Sequence, residues 1–236
     1  MATQHNGEMF LIDKPLDWTS FDVVKRIRWT FGVKKAGHAG TLDPKATGLL
    51  IVCTGAKTKE ISRFVGLEKE YRGTMELGVR TPSHDSETDV VERREIRGVT
   101  LEALQSVARE FIGKQLQTPP MYSAVKHRGK PLYKYARRGK SIEREAKEIE
   151  IVEFEVTKFE PPFAEFRVVC SKGTYIRSLV DDVGQRLGCG ATLRSLRRLR
   201  IGPYHVDRAL TIEQLENTRR DLTSRAESAH EGRLFT

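Results

Sequence analysis

The chain has 236 residues, of which 38% are hydrophobic and 31% charged, with ten phenylalanines and a mean hydropathy of −0.48. That supports a packed core under a water-compatible surface, and no segment approaches the roughly 18 apolar residues that span a bilayer. The formal net charge of +9 attracts polyanions, nucleic acid the common one, though a merely basic soluble protein carries the same charge and its distribution has to decide.

The opening MATQHNGEMFLIDKP has no basic stretch followed by an apolar one, so no secretion signal is expected. MFLIDK reads as a strand that stops at Pro15. Thr19 or Ser20 then caps a helix carrying Phe21, Val24, Ile27, Arg28 and Phe31, ended by Gly32. GHAGTLDPKATG follows, and after it LLIVC, a buried strand that contains Cys53. ISRFVG reads as a short helical turn and EYRGTMELGV as a strand. Thr100 caps an amphipathic helix with Leu101, Leu104, Val107, Ala108 and Phe111 on one face and Gly113 at its end. IEIVEFEVTKF alternates with one phase slip at Ile151–Val152, which predicts a bulge; EPP turns the chain; FAEFRVVC alternates again, so the pair reads as a long hairpin. The next helix carries Ile176, Leu179, Val180, Val183 and Leu187 and ends at Gly188. LRSLRRLR reads as a helix with Leu193, Leu196 and Leu199 inward and Arg194, Arg197, Arg198 and Arg200 outward, in solvent or on RNA. Thr211-Ile-Glu-Gln spells a capping box for a last helix. Hairpins and helices mix without a βαβα rhythm, which predicts α+β with a mainly antiparallel sheet.

Chemistry is spelled in few places. A residue before proline is held out of the helical region, so Leu42-Asp43-Pro44 is a stiff elbow between glycines, anchored by the strand behind it. Asp43 is ionised at neutral pH and suits a nucleophile, a base or an electrostatic partner; an Asp that merely bonds its own turn has the same spelling. A phosphate-binding GxxxxGK[ST] loop and a GxGxxG fingerprint are absent. Ser83-His84-Asp85 has the letters of a hydrolase triad, but three adjacent residues do not converge on one point. The three cysteines, Cys53, Cys170 and Cys189, are scattered and the histidines form no HxxxH pair, so neither a disulfide framework nor a metal site is implied.

The charge is concentrated. MYSAVKHRGKPLYKYARRGK holds Lys126, Arg128, Lys130, Lys134, Arg137, Arg138 and Lys140 with Tyr122, Tyr133 and Tyr135 between them and no acid. Cations track phosphates and aromatic faces stack on unpaired bases, so a projecting RNA-binding loop is predicted. In SKGTYIRSL, Arg177 falls in the first turn of a helix, where the dipole disfavours a cation; it either faces solvent or has a carboxylate partner elsewhere.

GHAGTLDPKATGLLIV, KEYRG, TPPMYSAVKHRGKPLYKYARRG and SKGTYIRSLVDDVGQRLGCGATLRSLRR, in this order from Phe10 to about Thr211, closely resemble the TruB-type tRNA pseudouridine synthases. The resemblance implies the pseudouridine synthase fold, α+β with a mixed, mainly antiparallel sheet, flanking helices and an RNA-binding cleft. It implies isomerisation of the T-loop uridine of tRNA (position 55) to pseudouridine, after flipping the base from its stack. Asp43 matches the catalytic aspartate, Tyr71 the active-site tyrosine that packs on uracil, and Arg177 the arginine paired with that aspartate. His38 matches the histidine that holds the flipped-out state, Lys59 and Tyr175 further active-site positions, Asp85 a loop aspartate and Leu196 a substrate-contacting leucine. The basic loop, with Lys126, Arg128 and Lys130, matches a thumb-like insertion of about residues 117–147 that folds over the T loop. The reaction breaks N1–C1′ and rejoins the base through C5, with nothing oxidised and no group gained. No cofactor or metal is therefore expected.

The expectation is one catalytic domain over residues 1–236, a cytoplasmic monomer bound to the tRNA T stem-loop. Two departures from the family stand out. After Arg80-Thr81 its acidic-glycine turn is replaced by PSHDSETD, with no glycine. Most bacterial members carry a C-terminal PUA domain, whereas about 25 residues follow Thr211, so a member lacking that domain is expected. Two other classes fit parts of the residues. A non-catalytic RNA-binding protein on the same scaffold would survive loss of Asp43. An aspartate-nucleophile glycosidase would want a second placed carboxylate and no basic loop.

Overall fold

The computed structural model describes residues 7–218. The chain forms two compact units, Met1–Leu67 with Arg198–Thr236, and Glu68–Arg197.

The first unit opens with β1 (Met9–Lys14), α1 (Ser20–Phe31), β2 (Ala36–His38), β3 (Ala46–Thr54), a 3-10 turn at Gly55–Glu60 and α2 (Ile61–Gly66). β3 pairs antiparallel with β1, Ile12 opposite Leu50, and with β2, His38 opposite Val52. Its apolar run is buried throughout, so both faces need cover. One face packs with Val23, Val24 and Ile27 of α1 and with Leu215; the other packs with Phe64, Ile201 and Val206. α1 begins as expected at Thr19, whose side chain accepts from the Asp22 amide while the Asp22 carboxylate accepts from the Thr19 amide, and it ends at Gly32 in the left-handed region. Of the apolar residues it carries, Val24 and Ile27 are buried with Ser20, Val23 and Thr30, Phe31 packs against the same core, and Phe21 is exposed. Thr211 and Gln214 exchange the capping-box bonds, and residues 212–218 are helical.

The second unit contains β4 (Lys69–Leu77), the short ladder of β5 (Val79–Arg80) with β6 (Glu92–Arg93), α3 (Leu101–Glu110) and β7 (Gly113–Gln117). It continues with the hairpin of β8 (Lys126–His127) and β9 (Lys130–Pro131), then α4 (Leu132–Ala136), β10 (Lys147–Glu160), β11 (Phe163–Cys170) and α5 (Ile176–Arg186). Its sheet runs β4, β11, β10, β7, all antiparallel. The expected bulge sits between Ile151 and Glu153 of β10. Gly113 does not end α3; Phe111 caps that helix, and Gly113, at φ 110°, opens β7.

β12 (Ala191–Ile201) passes through residues of both units and is followed by β13 (Tyr204–His205) in the first. LRSLRRLR is therefore strand, not helix. The three-residue leucine spacing imitates a helix, but the arginines are matched by distant partners: Arg194 pairs with Glu76 of β4, and Ser195 bonds Thr74 at 3.0 Å. A strand can offer that alternation of contacts where a helix cannot.

Candidate active site

In the first unit, Asp43 is half-buried on the loop between β2 and β3. Three groups hold that loop. The Ser20 hydroxyl donates to the Leu42 carbonyl at 3.1 Å and accepts from the Leu42 amide at 2.8 Å. Lys14 at the end of β1 is fully buried, and its ammonium donates to the carbonyls of Pro15 (2.9 Å), Trp18 (2.6 Å) and Pro44 (3.5 Å). Burial pulls the Lys14 pKa down to about 8, against the Asp43 charge, which raises it. The third is Arg198, 1% exposed, whose guanidinium donates to the carbonyls of Leu49 at 2.7 Å and Gly40 at 3.1 Å. Gly48 lets the Arg198 backbone close in: at φ 101° a Cβ there would fall against the Arg198 carbonyl oxygen. Asp43 thus sits on a loop whose backbone is tied down on both sides, as a placed carboxylate requires. Burial, then the nearby Arg198 charge, hold the His38 pKa below the usual imidazole value, so His38 is neutral at pH 7. Lys59 lies exposed on the 3-10 turn after β3.

In the second unit, Arg177 in the first turn of α5 is 3% exposed, not solvent-facing. Its guanidinium donates to the carbonyls of Ser83 (2.9 Å) and Tyr122 (2.8 Å) and lies 3.4 Å from the Asp85 carboxylate. Asp85 is itself buried, accepting from the Ser83 hydroxyl at 2.6 Å and the Glu87 amide at 2.9 Å. Ser83-His84-Asp85 is a turn rather than a triad. His84 at φ 61° takes the left-handed position where glycine is missing, and its ring is 3.3 Å from Asp181 of α5. Tyr71 is buried in β4 opposite Val168. Tyr175 precedes α5, its amide donating to Gln117 at 2.8 Å and its carbonyl accepting from Gln117 at 3.1 Å. Leu196 is half-buried on β12.

The basic segment is in this unit too. Lys126, Arg128, Lys130, Lys134, Arg137, Arg138 and Lys140 are all exposed. β8 and β9 turn through Arg128 (φ 48°) and Gly129 (φ 77°), the positive-φ pair that a two-residue hairpin favours. The base is anchored by buried Leu132 and by the Arg177 bond to the Tyr122 carbonyl. Arg137 stacks 5.5 Å from the Tyr133 ring centroid and pairs with Glu87 at 2.8 Å.

With the site's geometry in view, its relatives are informative. Residues 28–176 match the N-terminal domain of the TruB family pseudouridylate synthases, and residues 177–230 match the tRNA pseudouridylate synthase B C-terminal domain. The chain belongs to the TruB family. It is 51% identical over 215 residues to a tRNA pseudouridine synthase B from Chloroherpeton thalassium, covering 89% of each chain. It is 45% identical to that of Flavobacterium johnsoniae, covering 90% of this chain and 96% of the relative. Among solved structures it resembles the chain of a Cbf5–Nop10–Gar1 complex, with TM-score 0.70 and 32% identity over 90% of this chain and 54% of that one. A second neighbour, from an archaeal box H/ACA sRNP Nop10–Cbf5 complex, gives TM-score 0.67 at 27% identity, covering 91% and 54%. The chain thus spans about half the length of those solved chains. The fold is the α+β pseudouridine synthase fold.

Sequence reasoning missed the straps. Lys14 and Arg198 act on backbone carbonyls, which have no spelling, and Arg198 was expected on an outer face. Gln117, which bonds the Tyr175 backbone, was missed for the same reason, whereas Ser83, set aside as a false triad member, donates to the Asp85 carboxylate. Among the described residues no group of His, Cys, Asp or Glu is placed to hold a metal ion, and no helix is long and apolar enough to cross a membrane.

Proposed function

We propose that this chain isomerises the T-loop uridine of tRNA, at position 55, to pseudouridine. The observation that carries the reading is Asp43, a half-buried carboxylate on a strapped loop, in a chain 51% identical to a relative named tRNA pseudouridine synthase B. Asp43 is the catalytic carboxylate, with Tyr71 and Arg177 as the other catalytic residues. His38, Lys59, Asp85, Tyr175 and Leu196 bind substrate, and Lys126, Arg128 and Lys130 grip the T stem-loop.

The chemistry suits these groups. Extruding a base costs a few kcal/mol, and stacking returns about 1–3 kcal/mol per base, so aromatic contacts with phosphate pairing offset the cost. A neutral His38, at the end of β2, adds no charge at the start of the loop whose carboxylate must stay anionic. One carboxylate suffices, because substrate and product are isomers. The protein works as a monomer in the cytoplasm, as one catalytic domain over residues 1–236 with its thumb-like insertion at about 117–147.

The test is tritium release from tRNA labelled at uridine C5, since mass does not distinguish the isomers. Asp43→Asn should bind tRNA as the wild type does and release no tritium. Equal release by the two proteins would sink the assignment of Asp43, and no release by the wild type while it binds tRNA would favour a non-catalytic RNA-binding role.

A further inference from the structure

α1 turns a second kind of face to solvent. Because Val23, Val24, Ile27 and Thr30 point inward, the row Phe21, Lys25 and Trp29 points out with Arg28 beside it, and all four are exposed, Phe21 at 54% and Trp29 at 68%. The two rings are not bare apolar surface. The Lys25 ammonium stands 5.1 Å from the Phe21 ring centroid, and the Arg26 guanidinium lies 5.6 Å from the ring centroids of both Trp18 and Trp29. Lys34 and Lys35, both exposed, follow the Gly32 cap. Asp22 and Glu216 pair with Lys25 and Arg26, but among the described residues no carboxylate is in ion-pair reach of Arg28, Lys34 or Lys35.

Exposed rings between exposed cations are what RNA binding uses: bases stack on the rings and phosphates pair with the cations. A purely apolar partner would leave those cations unmatched. Residues 219–236 would not match them either, with four arginines against three acids.

We propose that the outer face of α1 is a second RNA-binding surface, distinct from the basic hairpin, on which Phe21 and Trp29 stack on bases of the tRNA while Lys25 and Arg28 pair with its phosphates. It rests on tRNA being the substrate.

The test measures binding of a tRNA transcript across a salt series, beside tritium release, for the wild type, Lys25→Gln/Arg28→Gln and Phe21→Ala/Trp29→Ala. The aromatic pair, which removes two stacking rings, should bind at least about thirtyfold more weakly. The cation pair should flatten the slope of log affinity against log salt by about 1.5. Turnover at saturating tRNA should stay within about twofold of wild type in both, as expected when only binding is lost. In Trp18→Phe, where Trp29 is the remaining tryptophan, tRNA should quench its emission. Unchanged affinity and slope with an unquenched Trp29, in an enzyme that isomerises tRNA, would overturn the proposal. Unchanged RNA affinity with a lower melting temperature in the aromatic pair would also overturn it, placing a chain segment or second copy on this face. A wild type that loses RNA affinity on these substitutions but never isomerises uridine would refute the enzymatic reading and leave the surface standing.

Discussion

At Lys14, burial and charge pull in opposite directions, and burial wins. Its folded pKa of about 8 lies below the ordinary 10.5. Between those values the unfolded chain holds more protons, so this group's contribution to stability grows as pH rises through that window. The stability gap between wild type and Lys14→Met, measured by denaturant unfolding, should therefore widen by about 2 kcal/mol in favour of wild type from pH 7.5 to 9.5. A gap independent of pH would mean that Lys14 titrates as an ordinary lysine. Gly48 meets a steric limit instead. Gly48→Ala would strain a backbone at φ 101° and press a methyl group on the Arg198 carbonyl. Backbone strain alone should cost about 1–3 kcal/mol, seen as a lower melting temperature. Neither effect is written in the local spelling: a lysine before proline and a glycine before leucine look ordinary until β1, β3 and Arg198 are placed.

At the scale of elements, α5 and the basic hairpin are tied through Arg177, which bonds the Tyr122 carbonyl at the hairpin's base and faces Asp85. Arg177→Met would leave the Asp85 carboxylate buried without this cation, an expected loss of about 3–5 kcal/mol. Amide exchange in residues 121–135 should speed up as well; exchange equal to wild type would show that the hairpin stands without Arg177. The hairpin's cations point to solvent, so neutralising Lys126, Arg128 and Lys130 should flatten the salt slope of tRNA binding by about 2. An unchanged slope would remove the hairpin from the interface. Elements with explicit stop signals were legible: Thr19 and Gly32 bound α1, and Thr100 starts α3 where expected. β12 was misread because three leucines at a helical spacing outweighed the fact that its arginines had no local partners. Gly113 was misread because a positive-φ glycine can begin a strand as well as end a helix.

For the molecule as a whole, the net charge of +9 has exposed cations in both units, seven from Lys126 to Lys140 in the second and others on and after α1 in the first. Affinity for tRNA should fall steeply with salt, and the hairpin and α1 variants should each remove part of that dependence. The sequence by itself determined the α+β class, most element boundaries, the elbow that carries Asp43 and the concentration of cations, because these rest on periodicity, caps, proline geometry and composition. Only the tertiary structure decided which cations are strapped inside and which face solvent. Arg198 and Lys14 are buried on carbonyls, Arg177 is buried beside Asp85, and Lys25 and Arg28 are left outside. A cation's partner is set by what long-range packing brings within about 3 Å of it, and backbone carbonyls carry no signal in the sequence that would announce the meeting.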